Sequence, residues 1–169
     1  MNLQFDFTVD KATCTIHITR EFAADLDLVW DAFTKAEMLD RWMGFNSWRA
    51  VTKEMDFREG GRWLHAMISP DNVARWSLAE FIKIEPKSSF TTRNSFCDEN
   101  GDPINGVFTS SLTVTSFKAG AGTTIVQIDK KMESLAQLEK FIEGGYFEKG
   151  TASGFRNLDE FLLTLVTNK

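Results

Sequence analysis

The chain has 169 residues, 43% of them hydrophobic, with 15 Phe, 5 Trp and a formal net charge of -5 at pH 7. This length fits one domain with a core that needs no staples, and an acidic chain without a basic run does not suit nucleic acid or an anionic membrane as a partner. Cys14, Cys97, His17 and His65 form neither a disulfide framework nor a metal-ligand spacing, and no apolar run reaches membrane-spanning length, so the reading is a cytoplasmic protein with no metal or other cofactor.

Residues 3–9 alternate, with Leu3, Phe5, Phe7 and Val9 on one side, as in a half-buried strand. Thr13–Glu21 alternates again and turns His17 toward solvent. At Leu26 the period changes. Leu26, Val29, Trp30 and Phe33 are spaced for a short helix, with Asp25 as its expected N-cap. Thr34 and Glu37 have the spacing of a capping box for a second short helix, buried through Met38, Leu39 and Trp42 and ended near Gly44.

Strands follow: Trp48–Phe57, Arg62–Ile68, Ala74–Glu85, Ser89–Cys97, Val107–Phe117 and Thr123–Met132. Between them lie Arg58-Glu59-Gly60-Gly61, Ser69-Pro70-Asp71-Asn72 and other turn signals. Gly60-Gly61 lacks phosphate-loop spacing and reads as a turn. The short connections predict antiparallel pairing, and the absence of β–α alternation excludes a doubly wound sheet.

Ser134 and Gln137 predict another capped helix, bent or ended by Gly144-Gly145. The last helix runs from Gly145 to Val166. Phe147, Phe155, Leu158, Phe161, Leu162 and Leu165 form its apolar stripe. Gly150, Ala152, Ser153 and Gly154 thin the side chains of its first half. That thinning suits either close packing on a sheet or the wall of a cavity.

The expected fold class is α+β: a curved antiparallel sheet of six or seven strands gripping a long C-terminal helix, with two short helices after the first strands. Residues 1–169 form one domain, with a core at 13–166 and an extra strand at 3–9. The tryptophans, with Phe33, Phe45, Phe57 and Phe81, suit core packing singly and an aromatic-lined pocket together. The candidate cavity residues are Trp30, Phe33, Trp63, His65, Met67, Trp76, Phe147, Gly150, Thr151, Gly154 and Phe155. His65 is either a hydrogen-bonded polar group of the core or pocket, or a general base. Glu80 and Arg93 are open as to face. No nucleophile has a base at a recognisable spacing.

The stretch Leu28-Val-Trp-Asp-Ala-Phe-Thr-Lys-Ala-Glu-Met-Leu-Asp-Arg-Trp-Met-Gly44, followed by Glu54-Met-Asp-Phe-Arg-Glu-Gly-Gly-Arg-Trp63, resembles the domain shared with the activator of the heat-shock protein 90 ATPase. The ending Gly145…Gly150…Asn157-Leu-Asp-Glu-Phe-Leu162 is similar to it too. That family belongs to the START-like, Bet v-type superfamily (SRPBCC), and the likeness implies the helix-grip fold. Met43 and Phe45 stand where the family often has Trp and Pro, and Ala24 where a Pro commonly precedes the first helix. Co-chaperones of the family carry a further N-terminal domain, for which this length leaves no room.

Three functions follow as expectations. The first is non-enzymatic binding of a small hydrophobic or amphipathic molecule between sheet and helix. The second is interaction with a chaperone, which the resemblance implies. The third is a cyclase or hydrolase acting on an aromatic substrate, as in distant members of the superfamily. The apolar edge strand Leu3–Val9 also suits a homodimer formed by edge pairing.

Overall fold

The computed structural model describes residues 3–44, 47–104 and 110–167. The elements run β1 (Phe5–Asp10), β2 (Thr15–Phe22), α1 (Leu26–Thr34), α2 (Ala36–Trp42), β3 (Arg49–Met55), β4 (Arg62–Ile68), β5 (Ala74–Glu85), β6 (Ser89–Cys97), β7 (Ser111–Ala119), β8 (Thr124–Met132), α3 (Leu135–Ile142) and α4 (Tyr146–Thr167). One antiparallel sheet takes all the strands in the order β1-β2-β8-β7-β6-β5-β4-β3. The sheet therefore has eight strands, not six or seven. The reason is that the first run pairs fully with β2, Phe5 opposite Arg20 through Asp10 opposite Thr15, and so extends the sheet. Two expectations fall outside the described residues: Phe45, and the first three positions of the Val107–Phe117 strand.

The α1–α2 joint differs from its expected capping. Asp25 occupies the N-cap of α1 without a side-chain bond. Lys35, not Thr34, occupies the N-cap of α2. Thr34 is buried, and its hydroxyl donates back to the Trp30 carbonyl at 2.8 Å, so it closes α1 instead of opening α2. Ser134 does cap α3, its hydroxyl accepting from the Gln137 N–H at 3.2 Å. Gly144 and Gly145 have φ of 74° and 71°, the left-handed region that glycine enters freely, and they bend the chain into α4.

The core lies between the sheet and α4. Phe155, Leu158 and Leu162 of α4 are buried against Ile16, Ile18, Phe22 and Val126 of the sheet and against Trp42 of α2. Burying each such side chain contributes roughly 1.5–3 kcal/mol. Trp42 also donates its indole N–H to the Ala32 carbonyl at 2.8 Å, which ties α2 to α1. The Phe5 and Phe7 rings of β1 meet Phe155 and Phe147 of α4 at 6.3 and 6.0 Å between centroids, so the apolar side of β1 packs on that helix. The far half of α4 carries directional bonds as well. Asn157 donates to the carbonyls of Trp42 and Gly44, and the buried Arg20 of β2 pairs with Asp159.

Candidate ligand cavity

Side chains on the cavity side of β4 to β8 stop short of α4 over part of its length. The gap is a cavity of about 400 Å³. Phe147, Gly150, Thr151, Gly154 and Phe155 of α4 form its roof. Phe33 of α1, Leu39 and Trp42 of α2, and Met43 just after α2 close one end. Met55, Trp63, Met67, Ala79, Phe81 and Phe90 line the sheet wall on one side, and Ile18 and Ile128 line it on the other. Tyr146, largely exposed, stands at the rim. Three methionines let such a wall adapt to an occupant's shape.

Phe33, Trp63, Met67, Phe147, Gly150, Thr151, Gly154 and Phe155 are thus brought together around one space. Three expected residues are not. Trp30 is buried in a ring cluster, with Phe117, Phe57 and Phe90 at 5.0, 5.9 and 6.0 Å, and has no cavity surface. Trp76 sits opposite Ala66 in the β4–β5 register and packs with Leu64, Leu78 and Cys97 on the other face of the sheet, with Lys53 over its ring. His65 shares a face with Trp63 and Met67, but the Trp63 indole lies on it and separates it from the space.

The chemistry of His65 is that of a neutral group. Burial lowers its pKa from 6.5 to about 4. Its Nδ1 is buried without a hydrogen-bond partner among the described residues. Glu80 and Arg93 are exposed and lie opposite one another in the β5–β6 register. No ion pair joins either of them to another described residue. Burial also raises the Cys97 thiol, the opposite of what a nucleophile needs. His17, half exposed, meets Asp129 at 2.6 Å on the outer surface. Among the described residues no cluster of His, Cys, Asp and Glu has the makings of a metal site.

The polar part of the wall comes from residues that the sequence reading did not single out: Thr92 and Asn94 of β6, Thr113 and Thr115 of β7, and Lys130 of β8. The signal for Lys130 is present in the sequence, because it alternates with Val126, Ile128 and Met132 on the apolar side of β8. Burial lowers its pKa from 10.5 to about 8. A second cleft of about 440 Å³ lies between α2 and α4, lined by Arg41, Arg49, Arg156, Asp40 and other polar groups.

No curated protein matches the chain significantly. Solved structures do. A protein from Mycobacterium smegmatis is 27% identical, with a TM-score of 0.85 over 95% of this chain and 97% of that one. A solution structure from Arthrobacter aurescens is 25% identical, with a TM-score of 0.83 over 91% of this chain and 88% of that one. The AHSA1 protein from Silicibacter pomeroyi is 15% identical, with a TM-score of 0.69 over 89% of this chain and 98% of that one, and shares the fold. Residues 23–162, most of the chain, match the family described as "Activator of Hsp90 ATPase homolog 1-like protein". The short-helix pair, the sheet and the covering helix all fall inside that match, and the chain belongs to this family.

Proposed function

We propose that this protein binds a small, largely apolar molecule between its sheet and α4, without transforming it. The observation that carries this reading is the cavity itself. Its volume of about 400 Å³ falls within the roughly 300–1,000 Å³ of small-molecule sites. Its wall is mostly aromatic and aliphatic, with a few polar groups gathered at one place, the form such sites take. His65 gives an enzymatic reading little support, because it is neutral near pH 7 and stacked away from the space.

Native mass spectrometry of gently purified protein tests the proposal. A bound mass that disappears when a bulky residue replaces Gly150 is the expected result. Trp42 and Trp63 line the space, so their fluorescence should also respond to an occupant. If no tested apolar probe changes that fluorescence, and no mass co-purifies, the reading fails.

The family's description favours a second reading, contact with a heat-shock protein 90-type chaperone. Its test is the ATPase rate of such a chaperone at saturating protein. An unchanged rate ends it.

A further inference from the structure

The polar groups of the cavity are not scattered. Thr92 lies opposite Thr113 in the β6–β7 register, and Thr113 lies opposite Lys130 in the β7–β8 register. The three form one transverse row across neighbouring strands, all on the cavity side. Asn94 stands one step along β6 on the same face, and its Oδ1 accepts from the Thr92 hydroxyl at 2.9 Å. That bond fixes the Asn94 amide with its NH2 donors unused among the described residues. The Thr113 hydroxyl is buried and has no partner among the described residues. Lys130 carries the cationic end of the row. Its Nζ lies 5.4 Å from the centre of the Phe141 ring, and no described carboxylate comes within ion-pair distance of it. The nearest acidic residue in sequence, Asp129, points to the other face and is engaged by His17.

From this geometry we infer that the cavity is a site for a monocarboxylate with an apolar body. The carboxylate meets the Lys130 ammonium and the Thr113 hydroxyl, and the body lies along the aromatic wall under α4. This assignment rests on the cavity reading above and specifies the chemistry of its occupant.

Physical bookkeeping favours an acid over a neutral molecule. A cation in an apolar wall without a counter-charge is costly, and a ligand carboxylate removes that cost on binding. Lys130 remains mostly protonated near pH 7 even with its lowered pKa. A single compact cation with hydroxyl and amide donors matches one negative charge. A phosphate monoester would call for a second cation or an Arg fork, and no arginine lines this cavity.

The test compares decanoate with 1-decanol on the full chain by calorimetry and by quenching of tryptophan fluorescence. Wild type is expected to bind decanoate at least tenfold more tightly than decanol. Lys130→Met is expected to weaken decanoate at least tenfold and leave decanol within about threefold. Lys130→Gln, which keeps a polar side chain of similar length, should weaken decanoate in the same way, and it provides the result if the Met variant does not fold. Thr113→Val should cost decanoate a smaller factor and spare decanol. If decanol and decanoate bind equally, or if both Lys130 variants keep wild-type affinity for decanoate, the acid site is overturned while the cavity reading stands. If neither probe binds wild type, both readings fall together.

Discussion

The indole of Trp63 lies flat on the imidazole of His65, with centroids 3.7 Å apart and planes 13° from parallel. Trp63 is held in that pose by its own N–H, which donates to the Thr52 hydroxyl at 3.0 Å, and Thr52 in turn donates to Asp40 of α2 at 2.7 Å. The stack keeps His65 dry and uncharged. Its pKa is depressed to about 4 from 6.5, so between those values the unfolded chain binds the proton and the folded chain does not. Stability from this residue is complete above pH 6.5 and is lost as pH falls toward 4. The full loss is on the order of 3 kcal/mol. Urea denaturation of wild type and His65→Gln across pH 7 to 4 should show a steeper fall for wild type. Parallel curves would mean that His65 is not kept neutral.

Lys130 has a depressed pKa as well, about 8 against 10.5, for the same reason of burial. At pH 7 both folded and unfolded chains carry the charge, and the folded one holds it in a poorer solvent. Replacing Lys130 by Met should therefore stabilise the ligand-free protein, by about 1–3 kcal/mol. As pH rises from 8 to 10.5 the folded chain releases the proton first, so the wild type should gain on the variant there. Thermal melts of both proteins at pH 7 and pH 10 check this. A Met variant less stable than wild type at pH 7 would contradict it.

Gly154 faces Trp42 across the α2–α4 contact. A Cβ placed there would lie 3.7 Å from the Trp42 ring, an ordinary contact, so no close approach demands glycine. Gly154→Ala should raise stability by up to about 1 kcal/mol through helix propensity. It should also shrink the roof of the cavity slightly. A raised melting temperature with weaker ligand uptake is the expected pair of results.

Arg20 of β2 and Asp159 of α4 pair in a partly buried setting, the arginine side chain only 10% exposed. Removing the carboxylate alone leaves that guanidinium uncompensated. Asp159→Ala should cost about 2–4 kcal/mol. The double change Arg20→Met with Asp159→Leu should recover much of it, since apolar packing replaces both charges. A double-mutant cycle by chemical denaturation measures the coupling. Additive losses would show that the pair carries none.

Much of the fold was legible because its signals are local. Alternation in Leu3–Val9 and Thr13–Glu21, the change of period at Leu26 and the stripe on α4 each follow from side-chain geometry over a few residues. The Thr34 cap failed for a local reason too, since a hydroxyl that can close the preceding turn competes with one that opens the next. The cavity wall was harder to read, because lining depends on cross-strand register. Trp76 looked like a pocket aromatic until its pairing with Ala66 placed it on the opposite face. Lys130 is harder to place, because a lone charge in a strand reads as a solvated position, although the β8 alternation puts it inward. The row Thr92–Thr113–Lys130 spans three strands and could emerge only once their registers were fixed.

Helix α4 is anchored unevenly. Beyond its midpoint it is bolted down by Asn157 and Asp159, whereas its first turns follow the glycine bend and rest on rings, Phe147 against Phe7 and Phe141. Rings slide at little cost, and polar bonds do not. On the proposed reading that the cavity takes a guest, these amino-terminal turns, with the exposed Tyr146 at the rim, are the part expected to give way as it passes. Amide exchange should run faster from 146 to 152 than from 155 to 162, and a bound guest should slow the first stretch far more than the second.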